Sequence, residues 1–460
     1  MSAAKTISPQ ALYQLQQSQR QRYADLHPYS LALSEQTQAQ WLFGVPLHLM
    51  NDWSTPFPLF MQSAQGVDLV DVDGHAYVDF CLGDTGAMFG HSPPAVAEAL
   101  AQQAKQGLTT MLPTADVAAV GNMLEERFGL PVWQAAMSAT DANRFALRWA
   151  RALTGRSKLL VFNGCYHGTV DDVFVDLIDG VPTQRDSLLG QVYPLTEHTE
   201  VIEFNDLAAL EAVLKTETIA CLLAEPVMTN VGMVLPQADY WQQAQALCRQ
   251  YGTLLIMDET HTISTGLGGY AVQHGLQADM LVLGKPLGGG MPCAVYGMSA
   301  DIAKRAEQVK EQAPAGHSGI GTTLTANALA FAAMRANLEQ VMTAAAYAHM
   351  LPLAEQLAAG LRNVFAKHGV QWCVTQVGAR VEFQFAERAP SNGTEARAIM
   401  NHELEQTIHL YCLNHGVLLT PFHNMLLVSP VTTAAHVERL LNTLDDCLQA
   451  LLVKTEAACK

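Results

Sequence analysis

The most constraining feature of the sequence is a set of short apolar runs that alternate with helical segments in the middle of the chain. Uninterrupted apolar strands separated by helices are typical of a parallel sheet covered on both faces. The central region is therefore predicted to be an α/β domain. Four of the runs are predicted strands: "KLLVFNGC" (158–165), "ACLLAEPVM" (220–228), "TLLIMDET" (253–260) and "DMLVLGK" (279–285).

Polar side chains stand at the ends of three of these strands. Glu225, Asp258 and Lys285 each come at or directly after the last apolar residues of a run. In open parallel sheets, the chemistry lies outside the carboxyl ends of the strands. We therefore expect these three distant segments to converge on one site.

The flanking regions have a different pattern. "GVDLVDVDGHAYVDF" (66–80) predicts a hairpin that turns at Asp73–Gly74. After about residue 330 the order is a long helix, strands and a helix again. We expect a large domain over residues 96–330 and a smaller α+β domain formed by residues 331–460, to which residues 1–95 contribute.

Composition limits the class of protein. The 460 residues are 49% hydrophobic and 15% charged, which is typical of an enzyme with a large core. The net charge of −17 argues against nucleic acid and anionic membranes as partners. The N-terminus has no apolar signal region, and the nine cysteines form no C-x-x-C pair. These features predict a cytoplasmic protein with reduced thiols.

Lys285 lies in "DMLVLGKPLGGGMP" (279–292), at the end of an apolar strand. A lone lysine at a strand end is usually a solvated surface group, but this strand is expected to end inside a cleft. A lysine kept away from water becomes a nucleophile towards carbonyls. The glycine spacing fits neither a P-loop nor a dinucleotide-binding fingerprint. From this segment alone, both the surface and the functional interpretation remain open.

Asp258 also ends an apolar strand, and a buried carboxylate needs a partner. That partner is an arginine, a helix N-terminus or a protonated ring nitrogen. A metal bound by Asp258, Glu259 and His261 is disfavoured, because successive side chains of a strand point to opposite faces. No metal site is expected.

Two further segments have both a structural and a functional interpretation. In "MSATDANRFALRWARALTG" (137–155), Ser138 and Thr140 are good helix caps, and the same helix N-terminus suits a phosphate. In "NGCYHG" (163–168), Tyr166 and His167 are either core residues or partners of a flat cofactor ring.

Several motifs occur in a specific order and spacing: "DVDGHAYVDF", "NGCYHG", "AEPVMTNVG", "IMDE", "LGKPLGGGMP" and "TTLTAN". Together they resemble the class III aminotransferases, which are fold-type I pyridoxal 5′-phosphate (PLP) enzymes. Within that family the chain looks closest to the glutamate-1-semialdehyde aminomutase group. The resemblance implies a large domain with a mostly parallel central sheet and a smaller α+β domain.

The resemblance also implies roles for individual residues. Lys285 would carry PLP as a Schiff base and move the substrate proton, and Asp258 would keep the pyridinium nitrogen protonated. Because the family's active unit is a dimer, the resemblance also implies a homodimer with its active site at the subunit interface. The other implied cofactor contacts are Ser138, Ala139 and Thr140 at the phosphate, Tyr166, His167, Glu225 and Thr260 around the ring, and Thr323 at the phosphate of the neighbouring subunit.

The sequence departs from the family pattern at several positions. Ala139 stands where the phosphate loop usually has glycine, and Thr260 where valine is common. Neither "GVPLHLMNDW" (44–53) nor "LLTPFHNMLLVSP" (418–430) has the arginine that binds a substrate carboxylate in the family. Candidate substrate contacts are Asp84, which replaces a tryptophan of the aminomutases, Arg144, Asn230 and Arg380.

The expected function is aminotransfer from a small amine or amino acid. The missing arginines favour a second possibility, a lyase that eliminates ammonia or phosphate from an amino alcohol phosphate or phosphonate. An aminomutase is a third. A catalytically silent binding protein of the same fold is disfavoured by the presence of both Lys285 and Asp258.

Overall fold

A computed structural model describes residues 7–452 of the chain. No helix in that range combines the length and the apolar character needed to cross a bilayer. The α-helices are α1 (Pro9–Leu26), α2 (Pro28–Thr37), α3 (Pro94–Gln103), α4 (Asp116–Phe128), α5 (Ala139–Thr154), α6 (Leu207–Leu214), α7 (Tyr240–Gln250), α8 (Gly269–Gln273), α9 (Ala300–Gln312), α10 (Ala328–Ala336), α11 (Ala344–His368), α12 (Gly393–Ala398), α13 (His402–Asn414) and α14 (Ala434–Leu452).

The strands belong to a large central sheet and to smaller antiparallel or mixed sheets. They are β1 (Met61–Gln65), β2 (Asp68–Asp71), β3 (Ala76–Asp79), β4 (Val132–Ala136), β5 (Lys158–Phe162), β6 (Val175–Ile178), β7 (Val181–Gln184), β8 (Thr199–Ile202), β9 (Ile219–Ala224), β10 (Leu254–Asp258), β11 (Met280–Leu283), β12 (Ala294–Met298), β13 (Cys373–Val377), β14 (Arg380–Gln384), β15 (Val417–Leu418) and β16 (Met425–Leu427).

The central sheet has the strand order β4-β12-β11-β10-β9-β5-β8. β10 pairs in parallel with β9 and β11, and β5 pairs in parallel with β8 and β9. β12 is antiparallel to both β11 and β4, so β4 runs in the same direction as β11. The predicted α/β fold with a mostly parallel sheet is confirmed. The carboxyl ends of every strand except β12 therefore meet at one edge.

The apolar strands are buried along their whole length. Every residue of β9, β10 and β11 is buried. Burying one aliphatic side chain stabilises a fold by about 1.5–3 kcal/mol, so these strands anchor the sheet firmly. Their rigidity fixes the positions of the polar residues that follow them.

Helix α5 begins at the edge where the strands end. Ser138 is extended and its hydroxyl accepts a hydrogen bond from the Asp141 N–H, which makes it the N-cap. Gly155, with φ +68°, ends the helix in the left-handed conformation. One face, including Ala142 and Phe145, is buried in the core of the sheet. An N-cap of this kind contributes about 1 kcal/mol, and here it places the helix N-terminus after β4.

The predicted hairpin is formed by β2 and β3, with Asp68 opposite Val78. Gly74 has φ +89°, a value that favours glycine in the turn. The Asp71 carboxylate accepts hydrogen bonds from the His75 N–H and the Tyr77 hydroxyl, and it lies 3.3 Å from His27 Nε2. This buried cluster connects the hairpin to the start of α2.

The chain divides into two compact units. The smaller comprises the residues up to Ser92, Ala348–Ala389 and the residues from Ile399 onward, and the larger comprises Pro93–Tyr347 and Pro390–Ala398. Whereas the sequence placed the boundaries after residues 95 and 330, the structure assigns residues 331–347 and 390–398 to the larger unit. The second of these segments is held there by Glu203, whose carboxylate accepts hydrogen bonds from the Gly393 N–H and the Thr394 hydroxyl.

The eight described cysteines are free thiols, and Cys373 is the one of them that is partly exposed. Cys459 lies outside the described residues. Burial raises the pKa of several of these thiols, including Cys221, to about 12. A raised pKa disfavours the reactive thiolate, which agrees with a packing role for these buried thiols.

Candidate active site

Most of the predicted cofactor contacts of the larger unit lie at the carboxyl edge of the central sheet. Glu225 follows β9, Asp258 ends β10, and Lys285 lies two residues beyond β11, on three adjacent parallel strands. Asp258 pairs in register with Val282 of β11. The expected convergence of these three segments is therefore correct. The segments after β4 and β5 reach the same edge and supply Ser138, Ala139, Thr140, Tyr166 and His167.

Asp258 is a buried carboxylate that accepts four hydrogen bonds. Oδ2 lies 2.8 Å from Asn143 Nδ2 and 2.9 Å from His167 Nδ1. Oδ1 accepts from the Thr260 N–H at 3.1 Å and from the Thr260 hydroxyl at 2.6 Å. Burial alone would raise the pKa of Asp258, but the hydrogen bond and charge of His167, with help from Thr260 and Asn143, lower it. A fixed negative charge results.

His167 is the strongest partner of that charge. Its side chain is almost completely buried. Burial opposes protonation, yet the hydrogen bond and charge of Asp258 raise the pKa of His167 to about 10. The sequence placed His167 among the cofactor contacts, and the structure shows it contacting Asp258. Its predicted contact with the ring itself remains a prediction.

Asn143 was missed by the sequence analysis. It lies on the buried face of α5, and its amide also donates to the His167 backbone carbonyl at 3.2 Å. The amide group of Asn143 thus contacts both Asp258 and His167 and holds them in position. The available signal was a polar residue between Ala142 and Phe145 on an otherwise apolar helix face, since a fully buried asparagine needs hydrogen-bond partners.

Lys285 begins a short 3₁₀ helix and has φ +43°. A left-handed conformation costs a residue with a side chain about 1–2 kcal/mol, so the surrounding structure must hold it there. Its Nζ lies 2.5 Å from Nε2 of His261. The residue before it, Gly284, approaches α5 so closely that a Cβ would lie 2.8 Å from the Cβ of Ala139. This contact places the N-terminus of α5 beside the lysine.

Glu225 is nearly fully buried and lies next to Thr229. Its Oε2 accepts hydrogen bonds from the Thr229 N–H at 3.1 Å and the Thr229 hydroxyl at 2.5 Å. Burial raises the pKa of Glu225, although the charge of His167 and hydrogen bonds from Thr229 and Asn230 oppose the rise. Asn230, a predicted substrate contact, is thus half-buried beside Glu225.

Glu259, considered with Asp258 and His261 as a metal ligand, is used differently. It accepts hydrogen bonds from the backbone N–H groups of Tyr270 and Ala271 and from the Thr262 hydroxyl. Its carboxylate therefore fixes the start of α8. Burial raises the pKa of Glu259 to about 7.

Comparison with known proteins identifies the family. The model of the family described as aminotransferase class-III matches residues 49–448. A glutamate-1-semialdehyde 2,1-aminomutase of Anaeromyxobacter sp. (strain Fw109-5) is 35% identical over 370 residues, which cover 79% of this chain and 84% of that protein. The chain belongs to the class III aminotransferase family. The resemblance drawn from the sequence motifs is confirmed.

Solved structures of an aminomutase and of an aminotransferase have the same fold. A glutamate-1-semialdehyde-aminomutase from Pseudomonas aeruginosa PAO1 has a TM-score of 0.95 and 47% identity, and the match covers 97% of this chain and 100% of that one. A variant of that protein in which one lysine is replaced by alanine is solved in complex with PMP. A β-phenylalanine aminotransferase from Variovorax paradoxus has a TM-score of 0.84 and 26% identity, with 95% and 97% covered.

Class III aminotransferases depend on PLP, and PLP is the cofactor of this protein. The site fits it in three respects. Asp258 is a buried, ionised acceptor for a ring N–H, Lys285 is a primary amine at the neighbouring strand end, and α5 directs its first N–H groups towards the same edge. Helix N-termini bind phosphate through such N–H groups.

The other predicted cofactor contacts are placed as follows. The Thr140 hydroxyl accepts from the Thr169 N–H at 3.1 Å, which ties the segment after β5 to α5. Tyr166 is 40% exposed and makes an edge contact with Phe174. Thr323 is exposed in a turn before α10. These contacts with PLP remain predictions.

The predicted substrate contacts Arg144 and Asn230 belong to the larger unit. Arg144 is exposed on α5, 4.0 Å from Asp141, and lines a cleft of about 660 Å³ whose lining residues include neither Asp258 nor Lys285. Arg148 and Lys310 line the same cleft. The predicted contact of Arg144 with the substrate remains a prediction.

Asp84 and Arg380 belong to the smaller unit. Arg380 in β14 is fully buried, and its guanidinium donates to the hydroxyl of Thr85. His423 Nδ1 lies 2.9 Å from Glu382 Oε1 nearby. Burial opposes protonation of His423, but Glu382 and Asp84 raise its pKa. These residues form a buried polar cluster, a feature that the sequence did not indicate.

Proposed function

We propose that this class III enzyme transfers the amino group of a small amine or amino acid, with Lys285 as the cofactor-carrying lysine and Asp258 as the partner of the cofactor ring. The observation that carries the proposal is the placement of both residues at the carboxyl ends of adjacent parallel strands, β11 and β10. The lysine that would carry the cofactor and the carboxylate that would pair with its ring are thereby held at the same edge of the sheet.

Each side chain has a task that follows from its surroundings. Bound PLP supplies an electron-withdrawing ring that takes up negative charge from the substrate carbon. Asp258, held ionised by His167 and Asn143, keeps a proton on the ring nitrogen. Lys285 removes the substrate proton and returns it, as a general acid and base positioned within reach of the reacting carbon. The N-terminus of α5 binds the phosphate.

Aminotransfer is the first reaction to test. The purified enzyme is incubated with a panel of amines and amino acids, each with and without a keto acid, and the amino product of the keto acid is measured. A transaminase forms that product in proportion to the amine consumed. Ammonia release without any keto acid would contradict aminotransfer and indicate a lyase.

An aminomutase is the second candidate, and the relatives favour it. The Anaeromyxobacter protein at 35% identity and the Pseudomonas structure at 47% identity both bear the name of glutamate-1-semialdehyde aminomutases. An intramolecular amino shift needs no keto acid and releases no ammonia. With glutamate-1-semialdehyde as substrate, formation of an isomer of equal mass in the absence of a keto acid would identify this reaction.

A further inference from the structure

Four side chains form a continuous hydrogen-bonded chain that starts at Lys285. Lys285 Nζ lies 2.5 Å from His261 Nε2, and His261 Nδ1 lies 2.7 Å from Thr229 Oγ1. The Thr229 hydroxyl lies 2.5 Å from Glu225 Oε2. His261, Thr229 and Glu225 are all buried, at 6%, 0% and 5% exposure. The chain therefore connects the lysine amine to a carboxylate through groups that are shielded from water.

This chain can hold its protons in two ways without losing a hydrogen bond. In the first, Glu225 is ionised and accepts from the Thr229 hydroxyl, His261 donates to Thr229 through Nδ1, and Nε2 accepts from the Lys285 ammonium. In the second, Glu225 is protonated and donates to Thr229, Thr229 donates to Nδ1, and Nε2–H donates to the neutral Lys285 amine. Imidazole, hydroxyl and carboxyl groups are all able to exchange roles in this way.

We propose that His261 and Thr229 relay a proton from Lys285 to Glu225, so that the lysine is delivered as a neutral amine. This inference rests on the proposed role of Lys285. In the transfer one Lys285 N–H bond breaks as a His261 Nε2–H bond forms, the Nδ1–H proton passes to Thr229, and the Thr229 hydroxyl proton passes to Glu225. His261, Thr229 and Glu225 act through Lys285 and are positioning residues.

The charges around the chain favour such a transfer. It converts an ammonium and a buried carboxylate into two neutral groups, and burial penalises ions more than neutral groups. Burial is the largest influence on Glu225 and raises its pKa, whereas the charge of His167 and the hydrogen bonds from Thr229 and Asn230 oppose the rise. Burial of Glu225 therefore favours the state in which its carboxyl group holds the proton.

The relay is tested by the capture of PLP, which does not require turnover. Apoenzyme is mixed with PLP over a range of pH, and the rise of the yellow absorption is followed. Thr229→Val keeps the shape of the side chain but interrupts the chain, and Thr229→Ser keeps the hydroxyl. We expect Thr229→Val to slow capture about 10²-fold, the usual contribution of a positioned acid or base, and to shift the midpoint of the pH profile upward.

Thr229→Ser should restore both the rate and the profile. Binding of pyridoxamine phosphate, which forms no bond to lysine, should be equal in the wild type and Thr229→Val. Glu225→Gln interrupts the hydrogen-bonded chain at the end opposite Lys285. It should shift the midpoint of the pH profile of PLP capture upward, as Thr229→Val does. If Thr229→Val fails to fold, Glu225→Gln decides the question by itself.

Unchanged capture rates and pH profiles in the interrupted variants would overturn the relay. That outcome is distinguishable from failure of the proposed function, because the wild-type protein would still hold PLP on Lys285 after borohydride reduction. Absence of the label from Lys285 in the wild type would instead reject the role of the lysine, and the relay with it.

Discussion

His167 and Asp258 form a buried ion pair, with Nδ1 of the histidine 2.9 Å from Oδ2 of the carboxylate. The pair keeps the Asp258 carboxylate ionised, and this carboxylate is the proposed partner of the cofactor ring. The pair also couples the stability of the fold to pH, because each partner has a pKa displaced from its ordinary value.

Replacing His167 by glutamine should destabilise the protein most near neutral pH, where both His167 and Asp258 are charged. The pKa of His167 is raised to about 10, so its stabilising contribution is complete below the unfolded value of about 6.5 and disappears as pH rises to about 10. Breaking a buried pair costs about 3 kcal/mol or more. Urea unfolding from pH 6 to pH 10 measures the difference, which should shrink with pH. A difference independent of pH would contradict the ion pair.

Replacing Asp258 by asparagine should reduce turnover about 10²-fold or more, because an interaction aimed at developing charge is lost. Lys285 should still hold PLP in this variant. Thr260→Val is the matched control, since it removes one donor to Asp258 and leaves the carboxylate in place. Its loss of turnover should be much smaller. Full activity in Asp258→Asn would reject the pairing with the ring.

Gly284→Ala should weaken PLP binding, because the new Cβ would lie 2.8 Å from the Cβ of Ala139. Overpacking of this kind costs about 1–3 kcal/mol, and here it would push the N-terminus of α5 away from the lysine. The double variant Gly284→Ala/Ala139→Gly removes the opposing methyl group and should recover most of the loss. PLP dissociation constants measure both effects. Unaltered PLP affinity in Gly284→Ala would contradict the close contact between Gly284 and Ala139.

Assembly is predicted from the family resemblance, in which Thr323 contacts the phosphate of the neighbouring subunit. Thr323 is exposed in this chain. Sedimentation should show a dimer, and dilution to the monomer should release PLP. Thr323→Val should weaken PLP binding in the dimer, whereas Thr322→Val at the preceding exposed position should not. A monomer with tightly bound PLP would contradict this arrangement.

The sequence indicated the residues whose position follows from a strand end. Glu225, Asp258 and Lys285 terminate apolar runs, and parallel strands place such residues at one edge. Asn143 and Thr229 could not be found in this way, because hydrogen-bond partners separated by 115 and 32 residues leave no periodic pattern. The burial of Arg380 could not be predicted either, because arginine side chains are usually exposed. Its hydrogen bond to Thr85 is visible only in the structure.

The central claim is that Lys285 carries the cofactor. Borohydride reduction of the yellow protein, followed by peptide mapping, tests it most directly, with Lys285→Ala as the control that should carry no label. The account predicts one pyridoxyl group per chain, on Lys285, and loss of the yellow colour. A label on another lysine, or a purified protein that binds no PLP, would contradict the account.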